Sequence, residues 1–231
     1  MTVTFDHAGV QVDGTTLLEP VTLDLTEQRI SIIGANGSGK STLIRMINAL
    51  TPATSGTVQV NGVEVGRRGR KVRGAVGFLF SDPDNQIIMP TVAEDVAFSL
   101  RGSGLSREEI ATKVDESLAA VGLAGKNEQS PHLLSGGEKQ MLALASITAL
   151  TPQVIVADEP SCLLDLVNRN RLRRTFDALP QQLIMVTHDL ELAADAERTL
   201  CIDNGQVVDD GQPGEVIDRY IRRMKIGRAH V

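Results

Sequence analysis

Polar and apolar positions alternate with a period of two near the amino end, in TVTFDHAGVQV and again in VTLDL, with the turn signal Asp13-Gly14 between them. That pattern predicts short strands joined by a tight turn. RISIIG is a compact apolar run of the kind buried on both faces of a sheet, and a glycine-rich loop follows it directly. Leu43, Ile44, Ile47 and Leu50 then recur at helical spacing. TVQVNGVEV alternates around Asn61-Gly62, a strong hairpin signal, and AVGFLF is a further strand after the basic stretch RRGRKVR.

The period changes in the middle third. Thr91 with Glu94, and Ser106 with Glu109, have capping-box spacing, and Ile110, Val114, Leu118 and Val121 fall on one helical face behind the second pair. Buried-strand runs return in VIVAD and QLIMVTH, joined by an arginine-rich helix. CIDNGQVVDDG reads as a hairpin and EVIDRYIRRM as a closing helix. Strand, glycine loop, helix, inserted helices and further buried strands describe an α/β core with a helical subdomain spliced into it.

At 231 residues and 42% hydrophobic, the chain can bury a substantial core. Its net charge of -6 argues against nucleic acid as the main partner. No apolar stretch approaches the roughly 20 residues a membrane span needs, and the amino end lacks a signal-peptide layout, so a cytosolic chain is expected. Cys162 and Cys201 are too few for a disulfide framework and are expected to be structural thiols. The basic run Arg67, Arg68, Arg70, Lys71 and Arg73 lacks interleaved aromatics and is expected to be a solvated face. Residues 225–231 carry no periodicity and are expected to form a disordered tail outside the fold.

Between RISII and the helical pattern stands Gly34-Ala-Asn36-Gly37-Ser38-Gly39-Lys40-Ser41, followed by Thr42, a complete GxxxxGK[ST] in the strand-loop-helix context that the motif requires. Such glycines let backbone N–H groups converge on phosphates, Lys40 brings charge to the β and γ phosphates, and Ser41 offers a hydroxyl to Mg2+. A nucleotide carrying those phosphates and Mg2+ are therefore the expected ligands. In VIVAD the strand carries Asp158 to its carboxyl end, where it can hold the Mg2+ shell, and Glu159 follows, suited to orienting or deprotonating a water. Ser135 and Glu138 in LSGGE again have capping-box spacing, yet Gly136 and Gly137 cost about 1 kcal/mol each in a helix interior. They make sense if a phosphate approaches that helix end.

These stretches, in this order and together with Thr187-His188-Asp189, resemble the ATP-binding cassette (ABC) ATPases over nearly the whole chain. The resemblance implies a P-loop, RecA-like core with a small antiparallel β subdomain (residues 1–87 and 147–224) and an inserted helical subdomain carrying the signature (residues 88–146). It implies that two copies, or this chain and a paired ATPase subunit, sandwich two ATP molecules. Ser135, Gly136 and Gly137 would then contact the γ phosphate of the partner's ATP, His188 would sense that of its own, and Asp165 would lie at the seam. Three positions depart from the family. Its adenine-stacking aromatic is replaced by Val12 or Val10, which implies weak nucleotide binding by the monomer. Leucines stand where the Asp165 loop commonly has a small residue and glycine. The expected glutamine after Phe80 is Ser81, so either Ser81 or Gln86 would complete the metal shell.

The stretch PDNQIIMPTVAEDVAF resembles the ATPases of energy-coupling factor (ECF) importers, in which two ATPases dock on a transmembrane coupling protein that holds a substrate-capturing membrane protein. The implied location is peripheral, on the cytoplasmic face of the cell membrane. GGEKQML and the leucines before Asp165 most resemble the ATPases of biotin importers, with cobalt, nickel or another vitamin as alternatives. Ile87, Ile88 and Met89 are expected either to form the docking surface for the membrane partner or to pack under the helical subdomain. A soluble ATPase of iron-sulfur assembly, translation or DNA-end processing is a second class; DNA-end machines need long coiled-coil insertions and translation factors a second cassette, and neither is expected from this sequence. A non-hydrolysing regulatory cassette is the third, opposed by intact Lys40, Asp158, Glu159 and His188.

Overall fold

The computed structural model describes residues 1–66, 72 and 74–227; the basic run at Arg67, Arg68, Arg70, Lys71 and Arg73 lies outside the described residues. Two sheets carry the fold. The first, antiparallel, has the order β2-β1-β4-β5, with β1 Val3–Val12, β2 Thr15–Leu25, β4 Ser55–Val60 and β5 Val63–Glu64. Asp13-Gly14 and Asn61-Gly62 make its tight turns, all four residues taking positive φ.

The second sheet has the order β10-β9-β3-β8-β7-β6. Its strands β3 (Arg29–Ile33), β6 (Val76–Leu79), β7 (Val154–Asp158), β8 (Gln182–Val186) and β9 (Arg198–Asp203) run parallel, and β10 (Gln206–Gly211) returns antiparallel. Every residue of VIVAD and QLIMV is buried, as expected of parallel strands covered on both faces. Alternate side chains divide between two cores. Ile30, Ile32, Val154, Val156, Ile184 and Val186 join the antiparallel sheet and α1 (Lys40–Met46). Leu79, Ile155, Ala157, Leu183 and Met185 face the helical lobe.

That lobe contains α2 (Val92–Ser99), α3 (Arg107–Ala120) and α4 (Gly136–Thr148), with α5 (Leu166–Ala178) packed beside it. Thr91 caps α2, while Ser106 with Glu109 and Ser135 with Glu138 close full capping boxes on α3 and α4. Short α6 (Leu190–Ala194) and long α7 (Pro213–Gly227) complete the chain order.

Two expectations need correction. Helix α1 ends at Met46, because Ala49 turns the chain at φ +61, and Leu50 is exposed instead of sharing the buried face. Helix α7 runs through Lys225 to Gly227, the first three residues of the expected tail, while residues 228–231 lie outside the described residues; after Pro213 and Gly214 in its first turn, the helix contains no proline or glycine before Gly227, and its Arg219 and Arg223 both pair with Asp209 of β10.

Candidate active site

The glycine loop lies between the end of β3 and the start of α1, with its backbone set by contacts that exclude side chains. A Cβ on Gly34, at φ +149, would lie 2.1 Å from the Ile202 carbonyl oxygen, so only glycine fits. Gly39, at φ +105, precedes α1, and no side chain caps this helix end. A cavity of about 520 Å³ opens over the loop, lined by Gly37, Ser38, Gly39, Lys40, Ser41 and Thr42, with Thr15, Thr16, Leu17 and the Asn204-Gly205 turn on its other wall. That turn is docked through Gly205 N–H donating to the Ser38 carbonyl at 2.8 Å. Asn36 is exposed at the loop tip.

Lys40 Nζ donates to the carbonyls of Gly34 (3.0 Å) and Ala35 (2.8 Å). Burial pulls its ammonium below the ordinary lysine value, opposed by nearby Glu159 and Asp158. Ser41 Oγ donates to Asp158 Oδ1 at 2.8 Å, and Arg45 holds Asp158 Oδ2 at 2.9 Å. Two hard oxygens therefore converge at one point. Mg2+ takes few protein ligands beside substrate phosphates and water, so the Ser41–Asp158 pair has the chemistry such an ion needs. Arg45 was not singled out by the sequence pattern, although it lies four residues after Ser41 and so shares its helix face.

Glu159 sits at φ +50, a left-handed conformation that costs a glutamate about 1–3 kcal/mol and is held here by its own N–H donating to the Val186 carbonyl at 2.9 Å. His188 N–H donates to Glu159 Oε2 at 2.9 Å. The imidazole Nε2 is 3.1 Å from Oε1 but not aligned for a hydrogen bond, so among the described residues this buried oxygen has no hydrogen-bond partner, and neither does the buried Ser38 hydroxyl. Both orphaned oxygens belong to the glycine loop or the Asp158-Glu159 corner. An acceptor left open beside a phosphate loop is suited to a water.

Ser135, Gly136, Gly137 and Asp165 do not line this cavity. The Ser135 hydroxyl is engaged with Glu138 at the exposed start of α4. Lys126, 2.6 Å from Glu138, and the Ser135 amide hold that carboxyl down to about 2. Gly136 faces open space, whereas a Cβ on Gly137 would collide with the Asn168 side chain at 2.2 Å. Asp165 caps α5, and Leu163, Leu166 and Val167 around it are 67%, 70% and 76% exposed.

The segment after β6 carries both candidates for the missing glutamine. Gln86 Oε1 accepts from the Phe80 amide at 3.3 Å, so its carbonyl is turned back on the strand end. The Ser81 carbonyl accepts from Cys162 Sγ at 3.7 Å. Gln140 of α4 donates to the Phe80 carbonyl at 3.2 Å, so both backbone groups of Phe80 are held by glutamines. Of the apolar trio, Ile87 is half-buried against the helical lobe, Met89 is half-buried and Ile88 is 63% exposed. Their backbone is pinned by buried Asp95, whose Oδ1 accepts from the amides of Ile88 (2.9 Å) and Met89 (3.2 Å) and whose Oδ2 accepts from Ser146 Oγ (3.0 Å). Val10 is buried in the core and cannot stack on a base, whereas Val12 is 48% exposed.

A phosphate loop, an acidic strand end and a capping-box glycine turn outside the cavity define an ATP-binding cassette, and the chain belongs to the ABC transporter family, whose profile matches residues 18–162. It is an ATP-binding, ATP-hydrolysing subunit of the kind that works in pairs with membrane partners. The biotin transport ATP-binding protein BioM of Rhizobium etli is 44% identical over 220 residues, covering 95% of this chain and 98% of that protein. The energy-coupling factor transporter ATP-binding protein EcfA1 of Levilactobacillus brevis is 38% identical, over 86% of this chain and 73% of that one. The solved structure of cbiO1 from Clostridium perfringens, part of the ABC transporter complex cbiONQ, superposes with a TM-score of 0.85 at 27% identity, covering 96% of this chain and 93% of that one. Among the described residues no helix is long and apolar enough to cross a membrane.

Proposed function

We propose that this chain is the ATPase of an ECF-type importer whose solute is biotin, working as a homodimer on the cytoplasmic face of the membrane against a transmembrane coupling protein that holds a substrate-binding membrane protein. The observation that carries the chemistry is the convergence of Ser41, Asp158, Glu159 and His188 beside the glycine loop. Gly34, Asn36, Gly37, Ser38, Gly39, Lys40, Ser41 and Thr42 bind the phosphates. Ser41 and Asp158 would hold Mg2+, which supplies charge neutralisation on the β and γ oxygens when bound. Either Ser81 or Gln86 would complete that shell; the Gln86 carbonyl accepts from the Phe80 amide and the Ser81 carbonyl from Cys162.

Glu159 orients the attacking water through its open Oε1, and His188 senses the γ phosphate while its amide fixes the Glu159 carboxylate. Ser135, Gly136 and Gly137 reach the nucleotide of a second copy, which accounts for their position outside their own cavity. Exposed Leu163, Leu166 and Val167 around Asp165 then become covered at the seam. Ile88 and Met89 present the docking surface for the membrane partner.

Biotin is favoured by the 44% relative named for its transport. The test is purification from membranes in detergent with identification of the bound proteins, paired with uptake of labelled biotin by cells with and without the gene. Co-purification of a coupling protein and loss of biotin uptake are expected. Cobalt or nickel uptake lost instead would move the solute, and purely soluble partners would overturn the importer reading.

A further inference from the structure

We infer that Arg169 and Arg173 of α5 form a two-point clamp on α6 that positions His188 and Glu159 for hydrolysis and ties them to the signature turn. This rests on the hydrolysis proposed above. Helix α6 has five residues, too few for a helix to hold itself, and it is bracketed by Asp189 at its amino end and Asp195 at its carboxyl end. Arg169 Nη1 lies 3.6 Å from Asp189 Oδ2, and Arg173 pairs with Asp195. The two arginines are four residues apart, one above the other on the same face of α5.

What the clamp holds is the segment that begins at His188. Asp189 follows His188 directly, and the His188 amide fixes Glu159 Oε2 at 2.9 Å. Arg169 Nε also donates to the Leu164 carbonyl at 3.1 Å, so the same side chain sets the entry to the Asp165 loop. On its other side α5 places the Asn168 amide where a Cβ of residue 137 would stand. One helix thus contacts the turn that serves the partner's nucleotide and the segment that directly follows His188. Neither arginine lines the nucleotide cavity, so both are positioning residues.

Magnitudes separate this role from simple stability. Arg173 and Asp195 are partly exposed, and an exposed pair contributes little to folding. Displacement of a reacting group by about 1 Å can slow chemistry about 10²-fold. The test compares kcat and Mg-ATP binding of the purified chain with R173D, the charge swap R173D/D195R and R169Q. R173D and R169Q are expected to lower kcat about tenfold while nucleotide Kd and thermal midpoint stay near wild type, and the swap is expected to recover most of the rate. Wild-type turnover in both single variants, or a swap no faster than R173D alone, would overturn the clamp. If R173D fails to fold, R169Q decides. A wild-type chain that binds Mg-ATP without turnover would overturn the hydrolysis reading, and the clamp with it.

Discussion

Replacing Asp95 with alanine removes the acceptor for three donors at once: the amides of Ile88 and Met89 and the hydroxyl of Ser146. Asp95 is 4% exposed, so water does not readily replace it. Hydrogen bonds to a charged group contribute about 1.5–3 kcal/mol each. The Ser146 hydroxyl can rotate to another acceptor and exposed Ile88 lets its amide reach water, so the sum is not additive and a loss of about 3 kcal/mol is expected. Asp95→Asn keeps one carbonyl oxygen for the two amides and should cost about 1 kcal/mol. Urea unfolding of the three proteins measures the ordering, and amide hydrogen exchange at Ile88 and Met89 reports the site directly. Both amides should be protected in the wild type and exchange freely in Asp95→Ala. Asp95→Ala within about 0.5 kcal/mol of wild type, or no protection at residues 88 and 89 in the parent chain, would refute the account of how this loop is held.

Glu159→Gln should slow ATP hydrolysis about 10²–10⁴-fold while Mg-ATP binding persists, and undiminished turnover would remove Glu159 as the base. Ile88→Glu should abolish transport by the reconstituted complex yet leave ATPase activity and unfolding midpoint of the isolated chain unchanged, since this side chain is mostly in solvent. Val12→Tyr should tighten ATP in a fluorescence titration by about 1–3 kcal/mol if the exposed valine adjoins the base. The depressed Glu138 carboxyl favours the folded state above its ordinary value near 4.5, and this contribution is lost as pH falls toward about 2. Glu138→Gln should therefore show a shallower loss of stability between these pH values than wild type.

Features specified within a few residues were legible in the sequence. The capping boxes at Ser106 and Ser135, the Asn61-Gly62 turn and the glycine loop each need only local backbone geometry. Strand β1 was harder, because register shifts after Phe5, Ala8 and Val10 break the alternation, so periodicity alone could not separate buried Val10 from exposed Val12. Arg45, Asp95 and Gln140 carry no motif. Their roles arise only when α1 meets β7, when α2 meets α4, and when α4 meets the end of β6. The charge of Arg169 was visible, but its partner Asp189 lies 20 residues further on, on an element too short to leave a periodic trace.

The exposed leucines and valine around Asp165 bear on how the free chain behaves in solution. The proposed pairing would cover them and so couple association to stability, and the melting temperature should then rise with protein concentration when Mg-ATP is present. Below the dissociation constant of that pairing the same three side chains are sites for unwanted self-contact. On the proposed pairing, the chain's working lifetime is set by how quickly it finds its second copy as well as by its own core.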